Sequence, residues 1–395
     1  MDIPALQRVL SEQKLDGWLL YDFHGQNPTA LAAVGLGGHL LTRRWFYLVP
    51  ARGEPRLLVH AIEVGSFPAH VRGARESYSS WQSLRQGLER LVAAAPGRRL
   101  AMEYCPMAEI PYLSRVDAGT VELVRSLGVE VASSADLVQR FLCRWNAHQL
   151  ASHVRALRAI DDAKDAAFAY VGESHRRGYE PTEDQVQDFL MKRFADRGLA
   201  TDHPPIVAVN AHAGDPHYVP SKERATPIRK GDLLLIDLWA KEPRPEDPYA
   251  DITWVGFAGD RPPPKAVEIF RVTADARDLG LKVVQSAFRE RRPLAGWQVD
   301  RAVRDHIAAK GYGERFLHRT GHSIGTGAVH GDGANLDDLE THDTRELLQG
   351  TAFSIEPGIY LPEEGLGVRS EIDVVLTEEG PQVFSKVQEE LVRIQ

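Results

Sequence analysis

Four carboxylates and one imidazole carry the chemical interest of this 395-residue chain: Asp237, Asp251, His322, Glu356 and Glu371. Asp237 lies in the strand-like run Leu233 to Trp239 (LLLIDLW), and Asp251 opens Asp251 to Phe257 (DITWVGF). His322 stands in the glycine-rich turn TGHSIGTG, Glu356 in FSIEPGIY and Glu371 in GVRSEIDVVL. Side chains alternate along a strand, so an acid inside an apolar strand must face water, a partner or an ion. Taken singly, each acid reads as a salt bridge or an exposed hairpin contact. If the four converge, they repel one another unless protonated or bound to cations. Two divalent cations would balance them, with the histidine completing one coordination shell and the other left open to water. Such a site suits hydrolysis, because metal binding lowers the pKa of water.

The reason to expect convergence is an internal repeat. Gln185-Val186 recurs as Gln298-Val299, 113 residues on (185 to 298), and Gly198 and His217 recur at the same offset as Gly311 and His330. Gly231 and Asp237 correspond to Gly350 and Glu356 at 119 (231 to 350), and Asp251 to Glu371 at 120 (251 to 371). Each half reads as helix, helix, a loop with a histidine, then a β-hairpin with an acid on each strand. Thr182 with Gln185 makes a capping box, and Val186, Phe189, Leu190 and Phe194 follow at helical spacing; Val299, Val303 and Ile307 do the same in the second half. His318 and His322 are four residues apart, but Gly321, Gly325 and Gly327 argue against a helix that would make both of them ligands.

The first third of the chain alternates short strands with helices. Helices are expected over Ala5 to Lys14, Trp81 to Ala95 and Val121 to Leu127. Strands are expected over Gly17 to Tyr21, Trp45 to Val49, Leu57 to His60, Leu100 to Tyr104 and Val129 to Ala132. This is the pattern of a sheet covered by helices. The boundary falls near Leu142 to Asn146, where Asn146 with Gln149 can cap a long helix reaching about Arg177. The domains are thus 1–145, of α/β class, and 146–395, of α+β class with the repeat inside it.

A net charge of −8 without a long Lys/Arg block argues against a nucleic-acid surface. Two cysteines without close-spaced partners, Cys105 and Cys143, exclude a disulfide framework. No basic leader and no apolar run of membrane length is seen, so a cytoplasmic protein without a membrane partner is expected. The loop GHSIGTG lacks the Lys-Ser/Thr ending of a phosphate loop, and Ser323 has no nucleophile-elbow context.

From about Asn146 to the C-terminus the chain resembles the pita-bread metallopeptidases: methionine aminopeptidases, Xaa-Pro aminopeptidases and prolidases. FSIEPGIY and GVRSEIDVVLTEEG are similar to that family's two Glu signatures, and KGDLLLIDLW with ADITWVGF to its two-Asp hairpin. LHRTGHSIGTGAVH resembles its metal-histidine segment and GDPHYVP its substrate-side histidine segment. The resemblance implies that Asp237 binds one metal, that Asp251 and Glu371 bridge two, and that His322 and Glu356 bind the other. Glu356 would also move the proton, with His217, His318, His330 and Arg369 around the substrate. The N-terminal region resembles the creatinase-like domain of the proline-directed branch. That combination implies an Xaa-Pro dipeptidase (prolidase) with two divalent ions, Mn²⁺ first and Co²⁺ or Zn²⁺ as alternatives. It also implies a small peptide substrate with proline at the second position, and a homodimer. The alternatives are an Xaa-Pro aminopeptidase acting on longer peptides and a pita-bread binding protein without catalysis. The chain departs from the pattern in three places: a longer, Pro-rich segment between Asp237 and Asp251 (KEPRPEDP), one extra residue at Thr326-Gly327 between His322 and His330, and Gly331 where the family often has Glu.

Overall fold

Short apolar runs between capped helices build the region Met1–Leu142, one of two compact units in the computed structural model, which describes residues 1–395. Its elements are α1 (Ile3–Glu12), β1 (Gly17–Asp22), α2 (Pro28–Val34), β2 (Trp45–Pro50), β3 (Arg56–His60), β4 (Ala74–Tyr78), α3 (Trp81–Val92), β5 (Arg99–Met102), α4 (Ala118–Ser126), β6 (Glu130–Ser133) and α5 (Ala135–Leu142). The six strands form one mixed sheet in the order β4-β3-β2-β1-β5-β6. Every residue of β1 and β2 is buried, as expected of central strands covered on both faces. Leu19, Phe46, Leu58, Leu84, Leu88 and Val124 meet in the core between sheet and helices. Three elements escape the sequence reading. The edge strand β4 (ARESY) is mostly exposed and so carries no apolar alternation, and α2 is too short to show a periodic face; α5 has one, with Leu137, Val138, Phe141 and Leu142 at helical spacing, over only about two turns.

The second unit, Cys143–Gln395, contains α6 (Ala147–Arg176), α7 (Glu183–Asp196), β7 (Ile206–Val209), β8 (Leu233–Ala240), β9 (Ala250–Phe257), α8 (Pro264–Arg289) and α9 (Gly296–Ala309). These are followed by β10 (Ala352–Ile355), β11 (Gly358–Leu361), β12 (Leu366–Arg369), β13 (Ile372–Thr377), β14 (Gly380–Gln382) and β15 (Val392–Arg393). Asn146 caps α6 by accepting the Gln149 amide at 3.0 Å while the Gln149 side chain returns to the Asn146 amide at 3.0 Å. The equivalent return bonds at α7 and α9 run from the amides of Thr182 and Ala295 to Gln185 and Gln298, at 3.0 and 2.9 Å. Both of these helices end in the same way. Leu199 N bonds Phe194 O at 2.9 Å around Gly198 (φ 67°), and Tyr312 N bonds Ile307 O at 3.1 Å around Gly311 (φ 86°). That Schellman turn needs a left-handed residue, which glycine adopts without a Cβ clash.

Each helix pair covers strands. Leu157, Ile160, Phe168, Leu190, Ile236 and Ile252 join α6 and α7 to β8 and β9. Val284, Val299, Phe353, Ile355, Ile372 and Val374 join α8 and α9 to β10 and β13. The first strand pair is a continuous antiparallel ladder, with Asp237 opposite Thr253 and Trp239 opposite Asp251. Asp237, Trp239, Asp251 and Thr253 therefore share one face, opposite the face that packs on the helices. The second pair differs from the expected simple hairpin. β10 pairs with β13 and β11 with β12, and the ladder breaks between them at Glu356-Pro357 and Ser370-Glu371. Pro357 has no N–H to give the ladder, and the break frees the neighbouring amides for other partners. No helix is long and apolar enough to cross a membrane.

Candidate metal centre

The break in the second strand pair brings the acids together. Glu356 N, released from the ladder, donates to Thr320 O at 2.7 Å; Ser354 N donates to His322 O at 2.8 Å and Ile324 N to Ala352 O at 2.9 Å. Residues 320–324 thus lie along β10 as an added strand, with His322 beside Glu356. Glycine is required at 321 because a Cβ there would meet Ser354 O at 1.9 Å. On the other side of the break, Glu371 N donates to Thr253 O at 3.3 Å, which draws β9 and its Asp251 against Glu371.

Asp251, His322 and Glu371 are all buried, and each offers an atom within 4.8 Å of the others. His322 Nε2 lies 3.4 Å from Asp251 Oδ2 and 3.5 Å from Glu356 Oε1. Its Nδ1 is 3.1 Å from the Ser323 carbonyl, which can only accept, so Nδ1 carries the proton and Nε2 faces the carboxylates with a lone pair. Burial holds the imidazole well below its usual pKa, hence neutral. Asp251 Oδ1 and Glu371 Oε1 are buried and accept no hydrogen bond. Burial, reinforced by the neighbouring carboxylates, pushes the Asp251 and Glu371 carboxyls well above their ordinary range, and burial raises Glu356 to about 7. These buried donor atoms, turned on one another and in part without hydrogen-bond partners, fit divalent cations.

Asp237 is held from the side. Arg369 Nη2 donates to Asp237 Oδ2, its Nε to Thr253 Oγ1 at 3.1 Å and its Nη1 to Tyr360 Oη at 3.0 Å; Nε also lies 3.9 Å from Glu356 Oε2. The Tyr360 hydroxyl in turn meets His318 Nε2 at 2.7 Å. His318 Nδ1 lies 2.8 Å from the Arg319 carbonyl, so it donates there and leaves Nε2 to accept from Tyr360. Both ring nitrogens of His318 are engaged, and burial lowers its pKa to about 3. His330 stands beside His322, ring centroids 4.0 Å apart. Arg319 Nη2 is 3.2 Å from His330 Nδ1, and a guanidinium only donates, so the His330 proton sits on Nε2. His217 is exposed, outside the buried cluster, near enough for its charge to lower the His330 pKa.

Four contributors escape the sequence reading. Thr253 lies two residues from Asp251 and Asp373 two from Glu371, so strand alternation would have put each on the face of its acid. Tyr360 lies within the quoted FSIEPGIY, where nothing distinguishes it from a core aromatic. Asp373 Oδ2 accepts the Asp251 amide at 2.8 Å and lies 3.8 Å from His153 Nε2; His153, inside α6, has no local signal at all.

Residues 153–378 match the profile of metallopeptidase family M24, more than half of the chain, and the chain belongs to that family. Among its relatives, the uncharacterized peptidase YqhT of Bacillus subtilis is 35% identical over 187 residues, 47% of this chain and 48% of that one. The Xaa-Pro dipeptidase of Pyrococcus horikoshii is 32% identical over 235 residues, 60% of this chain and 61% of the other. The chain thus spans about half to three fifths of the length of these curated relatives. Among solved structures, dipeptidase PepE from Mycobacterium ulcerans superposes with a TM-score of 0.72 at 22% identity, over 99% of this chain and 96% of that one. At that identity the likeness shows the fold, the pita-bread fold of these peptidases.

Proposed function

We propose that the protein is a dinuclear-metal Xaa-Pro dipeptidase, with Cys143–Gln395 as its catalytic domain, Met1–Leu142 as a creatinase-like domain, and a homodimer as its assembly. One observation carries the reading: the His322 Nε2 lone pair facing Asp251 and Glu356 at 3.4 and 3.5 Å. A charge count supports two ions. Ionised, the four candidate carboxylates Asp237, Asp251, Glu356 and Glu371 carry four negative charges, which two divalent cations balance. The strand pairs that hold the acids, each under a helix pair with matching caps and Schellman ends, support a pseudo-twofold repeat as the origin of the site.

In this reading Asp237, Asp251, His322, Glu356 and Glu371 would hold two divalent ions. Oxygen-rich ligation with one imidazole suits Mn²⁺ and is compatible with Co²⁺ or Zn²⁺. When bound, the ions supply Lewis acidity and a water of lowered pKa. Glu356 accepts a proton from the attacking water and passes it to the leaving proline nitrogen. Its Oε1 is steered by the Ser354 hydroxyl at 3.2 Å. His330, with its proton on Nε2, donates to the oxygen that gains charge as the carbonyl becomes tetrahedral, and His217 acts from the exposed side. Arg369 holds Asp237 and Glu371 in register, the second through Thr253. His318 acts through Tyr360 and Arg369, since neither of its nitrogens is free.

The test is hydrolysis of matched Xaa-Pro and Xaa-Pro-Yaa peptides by protein loaded with Mn²⁺. The dipeptide should be cleaved faster. Cleavage of the tripeptide alone would replace the dipeptidase with an Xaa-Pro aminopeptidase. Bound metal without cleavage of either would leave a binding protein of this fold.

A further inference from the structure

Two unusual segments of the chain meet on one ammonium group. Lys241 lies just beyond β8, at the start of the Pro-rich segment, and is buried. Its backbone is paired in both directions with Ala200, each bond 2.9 Å. Its Nζ donates to three carbonyls: Arg244 at 3.2 Å and Pro245 at 3.3 Å in its own loop, and Thr326 at 2.5 Å in the loop that follows His322. An ammonium has three protons, and all three are used on backbone oxygens. A second bond, Tyr249 N to Gly325 O at 3.0 Å, joins the same two loops.

The receiving loop is itself a tight hairpin. Ile324 bridges His330, Gly325 N donates to Val329 O at 3.0 Å, and Gly331 N donates to Ser323 O at 2.6 Å. His322 stands at its root, His330 on its returning arm and Thr326 at its tip. The Pro-rich loop is anchored to α6 at both ends. Asp247 bonds His148 at 3.0 Å, the Glu246 carbonyl accepts from Gln149 at 3.0 Å, and Glu242 accepts from Arg155 at 2.9 Å. A continuous path therefore runs from a 30-residue helix through Lys241 to the tip of the histidine hairpin. The extension of the β8–β9 turn is a brace, not a free tip.

We propose that Lys241 is a positioning residue that fixes the Thr326 turn and thereby sets where the His330 imidazole stands beside His322. His322 itself is held independently, by Ser354 and β10, so loss of the brace moves His330 and leaves the candidate ligands in place. A hairpin tip that contains Gly325 and Gly327 has little stiffness of its own, and a small displacement of a group that must meet a transition state is costly. The catalytic part of the inference rests on the peptidase reading above; the structural part does not.

The experiment pairs Lys241→Met with His330→Ala in the full-length protein. Amide hydrogen exchange of Gly325 and Gly331 should quicken in Lys241→Met by roughly tenfold or more relative to the β8 and β9 amides, since local opening free energies fall where tertiary bonds are lost. With bound metal per chain unchanged, kcat/KM on an Xaa-Pro dipeptide should fall on the order of tenfold, and the same substitution in the His330→Ala background should add less than about a twofold loss, the coupling expected of groups that act as one. Unchanged glycine exchange overturns the brace. Multiplying losses in the double variant overturn its action through His330. Should the methionine variant not fold, Lys241→Gln, which keeps a donor to one carbonyl, is read by the same two measurements. A wild-type protein inactive on every Xaa-Pro peptide removes the peptidase reading while the exchange measurement still judges the brace.

Discussion

The Thr253 hydroxyl donates to Glu371 Oε2 at 2.7 Å, joining β9 to the break before β13 across 118 residues of chain. The same hydroxyl oxygen accepts from Arg369 Nε, so one side chain ties together both strands that carry the candidate carboxylates Asp251 and Glu371. Thr253→Val keeps the shape and removes both bonds. Outer hydrogen bonds of this kind commonly contribute about 10- to 100-fold to metal affinity. A weakening within that range is expected in a chelator-competition titration, with Thr253→Ser retaining most of the affinity. Equal affinity in the valine variant would show that Glu371 needs no such support.

Glu356→Gln separates proton transfer from metal binding. The amide keeps a carbonyl oxygen that can still face a cation, but it cannot take up a proton. Turnover on an Xaa-Pro dipeptide should drop by about 10²- to 10⁴-fold, the usual scale of general acid–base catalysis. Elemental analysis should still find metal in the variant. Near wild-type turnover with both ions bound would remove Glu356 from the proton path.

Tyr360→Phe leaves Arg369 Nη1 and His318 Nε2 each without the hydroxyl they share, inside a buried network. Leaving buried polar groups without partners costs about 1–3 kcal/mol. Denaturant unfolding of the metal-free protein should show that loss as a lower midpoint at an unchanged slope. A midpoint equal to wild type would mean that water replaces the hydroxyl.

The metal-free protein should lose stability as pH rises above about 6.5. Asp251 and Glu371 have carboxyl pKa values well above their unfolded values, and Glu356 is raised from 4.5 to about 7. At these carboxyls the folded state holds more protons than the unfolded chain, which makes unfolding easier as pH climbs; below about pH 6.5 His153, His318, His322 and His330, whose pKa values burial lowers, act in the opposite sense, because the unfolded chain takes up their protons. In chelator, the melting temperature should therefore fall as pH rises above about 6.5, and saturating Mn²⁺ should abolish the fall by giving the ionised carboxylates a partner. A chelated protein whose melting temperature is flat or rises across that window would contradict the charge arrangement.

The individual acids, the histidine turn, the capping boxes at Asn146 and Thr182 and most strands of both units were legible from local pattern. Each depends on residues within one element: apolar alternation, a cap and its return partner, a glycine after a helix. The break between Glu356-Pro357 and Ser370-Glu371 was not legible as such, although Pro357 marks one side of it. Its effect appears only when the freed amides find Thr320 and Thr253 more than thirty and more than a hundred residues away. The bonds made by the residues that buttress the site were invisible for the same reason, although alternation puts Thr253 and Asp373 on the faces of Asp251 and Glu371. Thr253, Tyr360 and Asp373 look like ordinary strand residues until two strand pairs face each other.

The sequence by itself determined which side chains can do chemistry and which element carries each, because propensity, capping and alternation act over a few residues. Tertiary structure alone decided three things: that the His322 lone pair points at Asp251 and Glu356, that both nitrogens of His318 are taken, and that the β8–β9 extension braces the histidine hairpin through Lys241. Those outcomes depend on hydrogen-bond directions between segments far apart in the chain, which form only when the packing of both helix pairs fixes where the strands meet.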